Sequence, residues 1–154
     1  MKRKNNYPMG TVIHGTMRNE DLIPEFLALL EQLARKAKNR NHISLCVDIR
    51  RRMKQFNYYS STDADIDLNE DLFQALNDYA APYFYFGSHP GDGSDYGFWL
   101  DENIEYDFEG LKVSDLAEVP KDYAGEIIMV NDHGNTSLYV KARTQEPREV
   151  WSIV

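Results

Sequence analysis

Tyr83-Phe84-Tyr85-Phe86-Gly87-Ser88-His89-Pro90-Gly91-Asp92-Gly93-Ser94-Asp95-Tyr96-Gly97-Phe98-Trp99-Leu100 is the stretch that decides the fold. Its two aromatic ends, 83–87 and 96–100, carry the bulky side chains that suit a pleated, half-buried surface. The proline and glycines between them demand a loop over 88–95, so the stretch reads as a β-hairpin. A second hairpin follows, with 126–130 and 136–140 flanking Asn131-Asp132-His133-Gly134-Asn135, where Gly134 supplies the positive φ of a tight turn. Residues 148–154 close the chain as a last strand, and 101–122 are acidic and irregular, with short elements at most.

Upstream the period changes from two to between three and four. A short strand over 11–17 puts Val12 and His14 on one face. Asn19 is placed to cap a helical turn that ends at Pro24, and a new helix then starts with Pro24 in its first turn. Phe26, Leu27, Leu30, Leu33, Ala34 and Ala37 form its apolar stripe, with Arg35, Lys36 and Lys38 in its last turn. Residues 42–54 fit both periods: Ile43, Leu45, Val47 and Ile49 alternate, whereas Leu45, Ile49 and Met53 make a helical stripe. The arginines at 50–52 favour the helix. A further helix over 68–80 has Leu72, Phe73, Leu76 and Tyr79 on one face and Asp67 or Asn69 as caps. The expectation is an α+β protein: a basic tail over 1–10, then one domain over 11–154 with N-terminal helices packed on a C-terminal antiparallel β-meander.

Charge is unevenly distributed. Twelve of the seventeen Lys and Arg precede residue 55, together with five acids; the remainder holds five basic and twenty acidic residues. Residues 55–111 contain no Lys or Arg and thirteen Asp or Glu. Such asymmetry indicates an electrostatic role. No apolar run approaches the ~20 residues of a membrane span, and the basic start lacks the apolar run of a secretory signal. Cys46, the one cysteine, lies in the apolar run 43–47 and reads as a small buried hydrophobe, with the cytoplasm as the expected compartment.

Three motifs occur in order: Phe86-Gly87-Ser88-His89-Pro90-Gly91-Asp92-Gly93-Ser94-Asp95-Tyr96-Gly97-Phe98-Trp99, Val130-Asn131-Asp132-His133-Gly134-Asn135, and the terminal Arg148-Glu149-Val150-Trp151-Ser152-Ile153-Val154. In these motifs the chain resembles a family of uncharacterised bacterial proteins associated with plasmids and phages. The resemblance implies a mobile-element accessory protein acting in the cytoplasm. It brings no activity and no catalytic residues.

Two sets of residues are candidates for function. His89, Asp92 and Asp95 in the first hairpin loop, and Asp132 and His133 in the second, are donors suited to a divalent metal or to acid–base catalysis. A metal-dependent hydrolase requires the two loops to converge; otherwise Asp and Asn simply bond the amides of their own turns. No other cofactor is implied. The alternating acids that begin at Asp63 fail as a calcium loop, since Leu68 stands where glycine is needed and Gln74 where glutamate is. His14 is expected to be buried and satisfied.

The second set is an acidic face made of Asp63, Asp65, Asp101, Glu102, Glu105, Asp107 and Glu109, which suits docking to a basic host protein, as an anti-defence factor or inhibitor would. Arg35, Lys36, Lys38, Arg40 and the arginines at 50–52 are a candidate anion patch, or internal partners of the acids. The aromatic hairpin lacks the cations a base-stacking surface needs, which disfavours nucleic acid there.

Overall fold

The structure, a computed structural model, describes residues 6–154. Lys2, Arg3 and Lys4 of the expected tail lie outside the described residues, and the tail's last residue, Gly10, already belongs to a strand. The chain divides into two compact units, Pro8–Asp101 and, in the main, Glu102–Val154. No glycine- or proline-rich linker marks the boundary: Asp101 still donates its amide to the Tyr83 carbonyl (2.9 Å), and the next residue belongs to the second unit. The protein is α+β, with its helices early and most of its strands late.

In the first unit, β1 (Gly10–Ile13) is followed by α1 (Asn19–Ala37) and α2 (Arg40–Arg52). Next come a 3-10 turn (Tyr58–Ser60), α3 (Thr62–Ile66), a π-helical turn (Asp67–Leu72) and α4 (Phe73–Asn77). β2 (Phe84–His89) and β3 (Asp92–Leu100) complete an antiparallel sheet of order β1-β3-β2. α1 is one helix, not two. Pro24 sits inside it, because Leu22 and Ile23 before the proline and Phe26 and Leu27 after it are all buried on the same face, which outweighs the loss of one backbone bond. Arg18, not Asn19, is its N-cap; the Asn19 amide instead ties α1 to the Tyr59 carbonyl and the Asp65 carboxylate, each at 3.0 Å.

Residues 42–54 take the helical alternative. Lys38 in the left-handed region (φ 56°) closes α1, and the Asn39 side chain accepts from His42 N (3.1 Å) to open α2. Phe26 is the hub of the core, edge-on to Phe73, Phe86 and Tyr96 at 5.7, 5.0 and 5.7 Å. The aromatic hairpin is therefore largely core: Phe86, Tyr96 and Phe98 are buried. Cys46 is buried too, which pushes its thiol up and leaves it a packing group.

Asp67 does not cap the N-terminus of a helix. It is 2% exposed, and Arg52 grips it through two bonds (Nε to Oδ2, 3.0 Å; Nη2 to Oδ1, 2.6 Å) while the Tyr58 hydroxyl donates to Oδ2 (2.7 Å). Burial first, and then this bond to a carboxylate, push the Tyr58 phenol well up. The expected loop over 88–95 is mostly strand. The chain reverses at Pro90 and Gly91, and β3 begins at Asp92. Gly97 permits the closest approach in this sheet, since a Cβ there would stand 2.1 Å from the Gly10 carbonyl oxygen of β1.

The second unit contains α5 (Ile104–Asp107), β4 (Leu111–Val113), a 3-10 turn (Leu116–Glu118), β5 (Gly125–Val130), β6 (Thr136–Lys141) and β7 (Arg148–Ile153). The sheet order is β4-β5-β6-β7, with β4 parallel to β5 and the other pairs antiparallel. The single meander expected from the sequence is thus two separate sheets. The second is antiparallel only from β5 onward, because β4 enters from within the acidic stretch. Ile127 and Leu138 are fully buried, and Ile128, Leu138 and Trp151 stand side by side across three strands.

Arg52→Ala leaves Asp67 buried without its cation and is expected to cost about 3 kcal/mol in urea denaturation, whereas Arg52→Met with Asp67→Leu restores much of that loss. Asp71, one turn beyond Asp67, has its carboxyl raised, by burial first and then by the Asp67 charge. A raised native value means that the unfolded chain loses this proton at lower pH, so ionisation of Asp71 weakens the fold. Asp71→Asn is expected to raise the melting temperature at pH 7, with the gain disappearing as pH falls below the ordinary aspartate value of about 3.9.

Candidate interaction surface

The acidic stretch beginning at Glu102 is a structured turn. Tyr106 and Asp107 donate their amides to the Asn103 carbonyl (both 2.9 Å), and Phe108 donates to Ile104 (3.0 Å). Ile104 and Phe108, four residues apart, lie on one face of α5 and are buried. The opposite face presents Glu105, Tyr106 and Asp107, with exposed Glu102 and Glu109 on either side. Lys112 holds the turn from β4 by donating Nζ to the Glu105 carbonyl.

Gly110 makes the seat possible. A Cβ there would stand 2.5 Å from both the Phe108 ring and the Glu126 carbonyl oxygen. Tyr106 is 85% exposed, so its ring is open to a partner. Sequence reading marked the acids and missed this tyrosine. The signal was present, in apolar residues at 104 and 108 that turn 105–107 outward.

Among the described residues, Glu102, Glu105, Asp107 and Glu109 enter no ion pair. The other acids assigned to this face belong to the first unit. Asp101 is that unit's last residue, and Asp63 and Asp65 are exposed in the first turn of α3, where the Ser61 hydroxyl caps the helix at Ala64 N (3.2 Å). Asp65 is also bonded by Asn19. The basic residues of the helices are partly spent internally: Arg35 and Arg50 both grip Glu31, whose carboxyl the Arg50 bond, and then the Arg35 bond, hold below the usual glutamate range.

Of the Asp and His residues of the two hairpins, His89 and Asp92 serve their own turn. His89 Nδ1 accepts from the Gly91 amide (2.9 Å), and its ring stands edge-on to Trp99 at 4.7 Å. Asp92 accepts from Ser94 N (3.0 Å) and Ser94 Oγ (2.8 Å), and these bonds, the backbone one first, hold its carboxyl down. Asp95 accepts from Thr11 (3.2 Å) through Oδ2, while its buried Oδ1 has no bond. In the second hairpin Asn131 is the organiser, accepting from the His133 and Asn135 amides (both 3.0 Å), and the Asp132 and His133 side chains are exposed. His14 is exposed rather than buried: it lies just past the end of β1, where Gly15, at positive φ (81°), donates to the Ser94 carbonyl (3.1 Å). The two hairpins belong to different units, and among the described residues no three His, Cys, Asp or Glu gather closely enough to hold a metal ion. No helix among those residues is long and apolar enough to cross a membrane.

No protein-family model matches the chain, and neither a curated protein nor a solved structure matches it.

Gly110→Ala is expected to unseat Phe108 and loosen the 102–109 turn. Amide exchange at Tyr106 to Phe108 should quicken, while the β5–β6 amides stay protected.

Proposed function

We propose that the second unit is a non-enzymatic interaction module that docks α5 onto a basic partner protein. One observation carries this reading: Tyr106 stands 85% exposed among four exposed, unpaired carboxylates, on a turn that Ile104 and Phe108 hold to the sheet. An aromatic anchor inside a charged rim is the layout of a protein-binding hot spot, in which burial of the ring supplies affinity and the rim steers approach. Pre-ordering by the amide bonds of the turn lowers the entropy lost on docking. The resemblance to plasmid- and phage-associated proteins suits an accessory factor that covers a basic, nucleic-acid-handling surface of a host protein.

Immobilised protein incubated with bacterial lysate is expected to retain a partner at low ionic strength and release it as salt approaches about 0.5 M, where charges are screened within a few ångströms. Tyr106→Ala, with an unchanged circular dichroism spectrum, is expected to weaken capture by at least tenfold, corresponding to a hot-spot loss of about 1.4 kcal/mol or more. The reading falls if capture is the same for wild type, Tyr106→Ala and the charge reversal Glu105→Lys with Asp107→Lys.

A further inference from the structure

Lys141, the last residue of β6, is 7% exposed. Its ammonium donates to the carbonyls of Lys121 (2.7 Å), Tyr123 (3.0 Å), Ala142 (3.3 Å) and Arg143 (3.3 Å). Those carbonyls satisfy its protons, but dipoles do not cancel a charge. Among the described residues no carboxylate pairs with it. A cation answered only by neutral groups keeps its net positive charge, which adds to that of any cation beside it.

That charge borders a cleft of about 340 Å³ between the β6–β7 connection and the segment leading into β5. The volume is that of a small-molecule site. Lys121 and Arg143 line the cleft beside Lys141, and both are exposed without an ion-pair partner among the described residues. Three of the five basic residues that follow residue 55 therefore meet at one place in an acidic protein. Thr144 adds a hydroxyl and Val119 an apolar side. Glu146 is the single acid on the lining, so a ligand accepted here presents a hydrogen-bond donor as well as negative charge.

We infer that this cleft binds a small molecule bearing a phosphate or carboxylate group, with Arg143 and Lys121 gripping the oxyanion above the fixed charge of Lys141. The guanidinium fork suits two oxygens of either group, and the lysine reaches a third as a point charge. This site shares no residue with the α5 surface, so each can fail without the other.

The test is titration of the full chain with inorganic pyrophosphate in one arm and citrate in the other, followed by amide chemical shifts at low salt. Saturable shifts confined to residues 116–123 and 141–147 are expected with at least one probe, and the arm that saturates earlier assigns the headgroup. Lys121→Ala with Arg143→Ala, both at exposed positions, should weaken binding at least tenfold, while Tyr106→Ala leaves it unchanged. The inference is overturned if neither probe gives saturable shifts by about 10 mM, a free energy weaker than about −3 kcal/mol. It is equally overturned if the double variant binds as wild type does.

Discussion

The buried Asp67 carboxylate is bonded by Arg52 and Tyr58, and the helical region of the first unit is arranged around this contact. The guanidinium comes from the end of α2, the phenol from the 3-10 turn that follows, and the carboxylate from a π-helical turn between α3 and α4. Three elements of the helical region are thereby pinned at one buried point. The wider π turn is the kind of irregularity that appears where a helix must present a particular side chain out of ordinary register. Here it carries Asp67 and Leu68 side by side into the interior, both nearly inaccessible. The cost of this arrangement falls on Asp71, left half-buried beside a like charge.

Lys141 in the second unit presents the same problem with a different solution. Its charge meets four carbonyl dipoles and no counter-charge, where Asp67 meets a full cation and a hydroxyl. A closed ion pair exerts little field on its surroundings. A cation solvated by dipoles still acts on whatever enters the space beside it. The two buried charges among the described residues therefore differ in kind: one is closed by a counter-charge, and the other is held by carbonyl dipoles beside a cleft.

Periodicity made most of the secondary structure legible. The stripe from Phe26 to Ala37, the helical option at 42–54 and both hairpins were readable because side-chain spacing reports directly on a face to be buried. Pro24 misled, since local rules know nothing of the core that Leu22, Ile23, Phe26 and Leu27 share. The π turn and the Arg52–Asp67 bond were invisible for the same reason, a pairing fifteen residues apart having no local signature. The parallel β4 was hidden by brevity, three residues within an acidic segment. At the site, the acids from Glu102 to Glu109 were plain in the sequence, whereas Tyr106 was noticed only once Ile104 and Phe108 were seen to face inward. His89 and His133, conspicuous as letters, lie in different units, His89 at the end of β2 and His133 in the turn between β5 and β6.

The charge asymmetry of the sequence also changes meaning once the chain is divided as it folds. Residues 8–101 hold nine Lys or Arg against fourteen Asp or Glu, a net −5, and the remaining residues hold eight against eleven, a net −3. Neither unit is basic. In the first, Arg18, Arg35, Arg50, Arg51 and Arg52 all pair with acids of the same unit, so five of its nine cations are answered within one body. In the second unit the charges do not meet in this way: the acids of α5 stand unpaired around Tyr106, and three cations gather at the Lys141 cleft. The two proposed binding places, α5 and the Lys141 cleft, thus lie in the second unit and are of opposite sign, each drawing on charges that no ion pair among the described residues uses.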